Sequence, residues 1–178
     1  MKLIEKAEDV ITLQDYSRKK RIKDVEIIDL KRFNDDGGSF TELARVSAGI
    51  PETIPGFEIK QVNYSEMAPE VIKAFHIHRE QTDIWFVPPC DKILLILADL
   101  RKNSETEGLI MRIPLGDCNS RLVKIPPGIA HGCKNIATDT GRIIYFVDKI
   151  FSADPKNSDE SRLKWDFFGK EIWEIEKG

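Results

Sequence analysis

Cysteine is scarce in this 178-residue sequence: Cys90, Cys118 and Cys133 are the only three, an odd number with no CxxC pair. That excludes a disulfide framework and a zinc ribbon, and it suits free thiols in a reducing, cytoplasmic setting. Cys133 reads either as a small buried hydrophobe or as a group recruited by the nearby His131. No apolar run reaches membrane-spanning length, the longest strongly apolar stretch being Ile93 to Ala98. The start, Met1-Lys2-Leu3-Ile4-Glu5-Lys6, has charge where a signal peptide needs an apolar core. No membrane partner is expected.

Excess charge is also lacking, since the formal net charge is -3. A general polyanion-binding surface is therefore not expected. The densest basic run, Arg18, Lys19, Lys20, Arg21 and Lys23, has no interleaved aromatics and reads as a solvated connector, not a nucleic-acid site. Repeats, low-complexity segments and linkers are absent as well. What remains is an ordinary globular composition, 41% hydrophobic and 32% charged, long enough to bury one core.

Residues 1–24 read as an N-terminal extension, with a short helix around 4–13, and residues 25–178 as the folded domain. From Val25 the pattern is of short β-like runs punctuated by Gly, Pro, Asn and Asp. Strands are predicted over 25–30, 57–64, 71–78, 83–87, 92–99, 109–113, 122–125 and 142–148. With no long helix between them they predict an all-β antiparallel sandwich or barrel with short terminal helices. Residues 159–178 fit either a helix or a closing flap packed by Trp165 and Trp173.

Histidine is as scarce as cysteine, with three residues, and its placement is informative. His76 and His78 sit two apart on the strand predicted over 71–78, so strict alternation puts them on one face with Ile72 and Ala74. His131 follows Pro126-Pro127-Gly128-Ile129-Ala130. All three histidines thus fall in two short segments, the arrangement a shared polar pocket needs. Gly37-Gly38 reads as a turn, and Asp99 with Arg101 as a structural ion pair near a strand end.

These segments resemble the two motifs of the cupin superfamily. His76-Ile77-His78 with Asp83 is similar to the first, HxH followed by an acid. Pro126, Gly128, His131 and Asn135 match the second, a PxG turn followed by histidine and asparagine. The implied fold is a double-stranded β-helix, or jelly-roll barrel. A closer resemblance, over most of 25–173, is to the dTDP-4-dehydrorhamnose 3,5-epimerase family. It is carried by Asp35-Asp36-Gly37-Gly38-Ser39-Phe40-Thr41-Glu42, Gln61-Val62-Asn63-Tyr64-Ser65, Lys73-Ala74-Phe75-His76 and Asp99-Leu100-Arg101-Lys102-Asn103-Ser104.

That resemblance implies an isomerase acting on a nucleotide-linked 4-keto-6-deoxysugar in deoxysugar or surface-polysaccharide biosynthesis, homodimeric and without cofactor. It implies His76 as base and Tyr145 as acid. Gln61, Asn63, Lys73, Glu42 and His131 would line the sugar and diphosphate, with Phe40 near the nucleotide. The chemistry needs a base for an α-proton, donors for the enolate, and an acid on the opposite face. The family's motif arginines stand here as Gly37 and Lys73, and its late orienting aspartate has no counterpart before Gly178. Asp83 or Glu42 is conjectured to take over that role.

Two other functions fit the same residues. His76, His78, Asp83 and His131 could hold a divalent zinc, manganese, iron or nickel ion on another small polar substrate, or His78 and His131 could simply line the barrel. A non-catalytic sugar-binding cupin would also carry this pocket. Tyr145, alternating with Ile143 and Val147, could equally fill the core.

Overall fold

The computed structural model describes residues 1–13, 20–154 and 156–176, so Arg18 and Lys19 of the basic run lie outside the described residues. The elements are α1 (Glu5–Glu8), β1 (Glu26–Asp29), β2 (Arg32–Asp35), β3 (Gly38–Thr41), β4 (Val46–Ser47), β5 (Ile50–Pro51), β6 (Gln61–Met67) and β7 (Ile72–Ile77). Then come β8 (Asp83–Phe86), β9 (Lys92–Asp99), β10 (Ile110–Gly116), β11 (Arg121–Ile125), β12 (Ile129–Asn135), β13 (Gly141–Val147) and β14 (Ser161–Arg162), with a final 3-10 turn over Glu171–Trp173.

Two five-stranded sheets form, in the orders β1-β11-β8-β13-β6 and β10-β9-β12-β7-β14. Every pairing within them is antiparallel. The sheets face each other as a jelly-roll sandwich, as the motif resemblance implies. β2 and β3 form a separate hairpin whose turn is held by Asp35 Oδ1 accepting from the Gly37 amide at 2.8 Å.

The apolar residues sort into three layers. Between the sheets, Trp85, Val123, Ile125 and Ile143 of one meet Ile93, Leu95, Leu97, Met111, Ile113 and Leu115 of the other. Ile22 and Val25 join this inner core, tying the chain before β1 to the barrel. Outside the second sheet, Phe75, Leu94, Ile96 and Ala98 are covered by Trp173, Phe168 and Leu163 of the C-terminal stretch. Outside the first, Ile84, Phe86 and Leu122 lie under Ile54 and Phe57. β9 is therefore buried on both faces, which is why it reads as an unbroken apolar run. Each such large side chain contributes about 1.5–3 kcal/mol on burial.

The C-terminal stretch is a flap, not a helix. Trp173 is buried against Phe75 and donates its indole N–H to the Trp165 carbonyl at 2.9 Å, while Trp165 itself remains exposed. The predicted helix over 4–13 contracts to the single turn α1, whose residues bury nothing. No helix among the described residues is long and apolar enough to cross a membrane. Cys133 packs in the inner core, where burial pushes its thiol up to about 12.

Candidate active site

The inner core fills only part of the barrel. The rest is a cavity of about 730 Å³ lined by Gln61, Asn63, Lys73, His76, His78, Asp83, Trp85, His131 and Tyr145, with residues 149–152, 157–160 and 162 also along it. Most of the predicted site residues thus meet in one place. Phe40 and Glu42 do not line it: both lie on or beside the β2–β3 hairpin, Phe40 exposed near Phe33 and Glu42 bonded to Arg45 at 3.0 Å.

β7 departs from the alternation expected of it. Along the β12–β7 ladder His131 pairs with His76, but Cys133 pairs with Lys73. Two steps along β12 match three along β7, so β7 carries a bulge between Lys73 and His76. The bulge brings Lys73 to the cavity beside His76 and His78, where strict alternation would place it on the other face. Ile72 and Ala74, expected beside the histidines, pack against the Phe75 layer although they also touch the cavity edge. Gly132 stands opposite the bulge, and the missing side chain is what lets Ala74 approach.

The second histidine segment is placed by its turn. Gly128 has φ +79°, and its amide donates to the His78 carbonyl at 2.8 Å. A side chain at 128 would meet Arg101 Cγ at 2.5 Å. Arg101 is held in turn by the buried Asp99 at 2.9 Å, the ion pair read in the sequence. The turn therefore locks the strand β12 that delivers His131.

His131 is buried, and its Nδ1 donates to the Ile129 carbonyl at 3.1 Å. Burial pulls its pKa down to about 4, against the Asp83 charge, so the ring is neutral near pH 7. Its Nε2 faces Asp83 Oδ2 at 3.5 Å. His78 likewise donates Nδ1 to a carbonyl, that of Asp159, at 3.0 Å, and turns Nε2 toward Asp83 Oδ1 at 3.9 Å. Asp83 accepts from the Gln81 side-chain Nε2 at 2.7 Å and the Trp85 indole at 3.2 Å. One ligand atom each from His78, Asp83 and His131 falls within 4.8 Å of the others.

His76 has other company. Its Nδ1 lies 3.2 Å from Glu160 Oε1, a residue the sequence reading did not single out. Neither Asp83 nor Glu42 makes that contact: Asp83 serves His78 and His131, and Glu42 pairs with Arg45 on the hairpin. Burial holds the His76 pKa below its ordinary value, although the Glu160 charge opposes this.

Tyr145 stands on β13 in the other sheet, paired with Asn63 and Trp85. Burial, with the charges of Asp83 and Glu160, holds its phenol above the ordinary value, so it keeps its proton at neutral pH. Gln61 donates to Asn63 Oδ1 at 2.7 Å and accepts from the Phe151 amide at 3.0 Å, which leaves the Asn63 amide group as the donor side. Lys73 anchors to β6 through Ser65 Oγ at 2.8 Å and the Glu66 carbonyl at 2.7 Å.

A jelly-roll barrel with histidines on one sheet and a tyrosine on the other, lining one cavity, is an arrangement of the cupin type. The family model described as dTDP-4-dehydrorhamnose 3,5-epimerase matches residues 19–168. The chain is 37% identical over 145 residues to the spore coat polysaccharide biosynthesis protein SpsL of Bacillus subtilis, covering 82% of this chain and 91% of that one. It is 28% identical over 137 residues to the dTDP-4-dehydrorhamnose 3,5-epimerase of Shigella flexneri, covering 75% of each. The solved dTDP-4-dehydrorhamnose 3,5-epimerase of Elizabethkingia anophelis superposes with a TM-score of 0.69 at 25% identity, covering 90% of this chain and 86% of that one.

The chain belongs to the dTDP-4-dehydrorhamnose 3,5-epimerase family. It is an isomerase of the nucleotide-sugar epimerase class.

Proposed function

We propose that the protein epimerises a dTDP-4-keto-6-deoxysugar during polysaccharide or deoxysugar biosynthesis, in the cytoplasm, with His76 as base and Tyr145 as acid. The observation that carries this reading is that the two residues enter one cavity from facing sheets, His76 from β7 and Tyr145 from β13. An inverting proton exchange needs its base and acid on opposite sides of the sugar ring.

His76 takes the proton from a carbon next to the ketone. The C–H bond breaks and its electron pair becomes the C=C bond of the enolate, with the charge on the keto oxygen. Amide and ammonium donors at the cavity wall, Asn63 and Lys73 among them, offset that charge and the diphosphate. Tyr145 then gives its proton to the same carbon from the opposite face, and exchange with solvent restores both groups. His131, neutral and locked by its Nδ1–H, lines the sugar.

The test is to incubate the enzyme with a dTDP-4-keto-6-deoxysugar in deuterated buffer and follow loss of the ring C–H signals by NMR. Wild type exchanges deuterium into the sugar and His76→Ala does not. Exchange at the wild-type rate in His76→Ala removes the assignment.

A homodimer accounts for the two predicted residues left outside the cavity. Phe33 and Phe40 are exposed on the hairpin, and Val62 and Tyr64 are exposed on β6, an edge strand. A second copy covering these surfaces would let the hairpin carry Phe40 and Glu42 to a nucleotide in its partner's cavity. Light scattering at a single-chain mass would remove this element.

A second reading rests on the convergence of His78, Asp83 and His131. Both rings spend Nδ1–H on carbonyls, so both Nε2 atoms are turned to the carboxylate in the form a divalent ion accepts. Stoichiometric metal in the tag-free protein, lost in His131→Ala, would favour it. Metal-free protein with no affinity for added divalent ions would eliminate it.

A further inference from the structure

Glu160 belongs to a strap that crosses the cavity mouth beside β7. Its course is fixed by a short ladder in which β14 pairs with β7, Ser161 opposite Ile77 and Arg162 opposite His76. The Leu163 and Phe75 backbones close the ladder by exchanging hydrogen bonds of 3.0 and 3.1 Å. On the other side the strap is clamped by Asp159. Its Oδ1 accepts from the Arg79 amide at 2.9 Å, and its Oδ2 accepts from the amides of Glu80 and Gln81, each at 2.8 Å. A carboxylate held by three successive backbone N–H groups is a rigid anchor, because each bond is charge-assisted and the donors cannot rotate away.

Both catalytic-strand histidines take their orientation from this one dipeptide. The Asp159 carbonyl accepts from His78 Nδ1 at 3.0 Å, and Glu160 Oε1 lies 3.2 Å from His76 Nδ1. Arg162 holds the same Oε1 through Nη2 at 2.8 Å and Nε at 3.2 Å. Glu160 is thus oriented on one side by a guanidinium and on the other by the imidazole.

We infer that Glu160 is the positioning carboxylate of His76, presented by a strap whose anchor is Asp159. The inference rests on the reading of His76 as the base. With Nδ1–H engaged by Glu160, the lone pair of His76 is at Nε2, and that nitrogen takes the substrate proton. The imidazolium formed when the C–H bond breaks is then stabilised through Nδ1–H by a carboxylate already in place. The proton remains on the ring; Glu160 neither gains nor loses one. A carboxylate supplied from a separate strap, not from the barrel, leaves Asp83 to serve His78 and His131 alone.

The experiment compares wild type, Glu160→Gln, Glu160→Asp, Glu160→Ala and His76→Ala for solvent-deuterium exchange into a dTDP-4-keto-6-deoxysugar. It is paired with long-range 1H–15N spectra of the histidine rings in the free proteins. Glu160→Gln is expected to lose about 10–100-fold in kcat with a much smaller change in KM, because the missing interaction is with the imidazolium and not with the sugar. Glu160→Asp should recover part of that loss. The ring of His76 should be the Nδ1–H form in wild type and a mixture of forms in Glu160→Ala. An unchanged kcat in Glu160→Gln, or a loss confined to KM, overturns the inference, as does an unchanged His76 ring spectrum in Glu160→Ala. Full exchange by His76→Ala would instead remove the base assignment, and the ring spectra still decide whether Glu160 positions His76.

Discussion

Gly132 on β12 lies so close to Ala74 on β7 that a Cβ at 132 would stand 2.4 Å from the Ala74 Cβ. Phe75 Cδ1 would be 3.1 Å away, so neither side of the space opens easily. This contact lies at the bulge that turns Lys73 toward the cavity with His76.

Gly132→Ala should therefore destabilise the protein by about 1–3 kcal/mol, the usual cost of forcing atoms into a packed interior. Urea unfolding would show a lower midpoint at unchanged slope. A wild-type midpoint would mean that the ladder yields without strain.

Much of the barrel was legible in the sequence. β9 coincides with its predicted span because a strand buried on both faces leaves an unmistakable apolar run, Ile93 to Ala98. β12 carries no strand signal in the sequence. The Pro126-Pro127-Gly128 turn before it and Gly132 within it break any period, yet it is a central strand between β9 and β7. The short β14 was equally hidden, since a two-residue strand has no periodicity to detect. The histidine cluster and Tyr145 could be found because their residue types are few and their spacing fits known motifs. Glu160 could not, for it lies among several acidic residues and only the fold of the strap singles it out. Only the family resemblance points Lys73 to the cavity; the bulge that puts it there has no signature in alternation.

The pH dependence of the reaction follows from the setting of His76. Burial favours the neutral ring and outweighs the opposing charges of Glu160 and Asp83, while Arg162 and His78 push the same way as burial. As the proposed base, His76 acts in its neutral form, so activity should be lost as pH falls through its pKa. The acid limb of the kcat/KM profile should accordingly lie below 6.5, the ordinary histidine value. A limb at or above that value would contradict the burial argument.

Asp99 should govern part of the stability to acid. It is buried, and burial alone would raise its pKa, but hydrogen bonds from Arg101, Thr106 and Ser104 more than reverse this and hold it well below the carboxylate range. A carboxyl whose folded pKa is depressed contributes stability above its unfolded value of 3.8, and that stability is lost as pH falls toward the folded value. Asp99→Asn should lose about 1.5–3 kcal/mol at pH 7, since its bonds to a charged group are weakened. It should also show a shallower decline of stability below pH about 4. Equal slopes for the two proteins in denaturant titrations across that range would argue against the assignment.

The central claim is that His76 and Tyr145 act on opposite faces of one sugar, and Tyr145→Phe in deuterated buffer tests it most directly. With the base intact and the acid removed, the α-carbon should still exchange its hydrogen for deuterium on the His76 side while the epimer fails to form. Epimer formation by Tyr145→Phe at the wild-type rate would contradict the account.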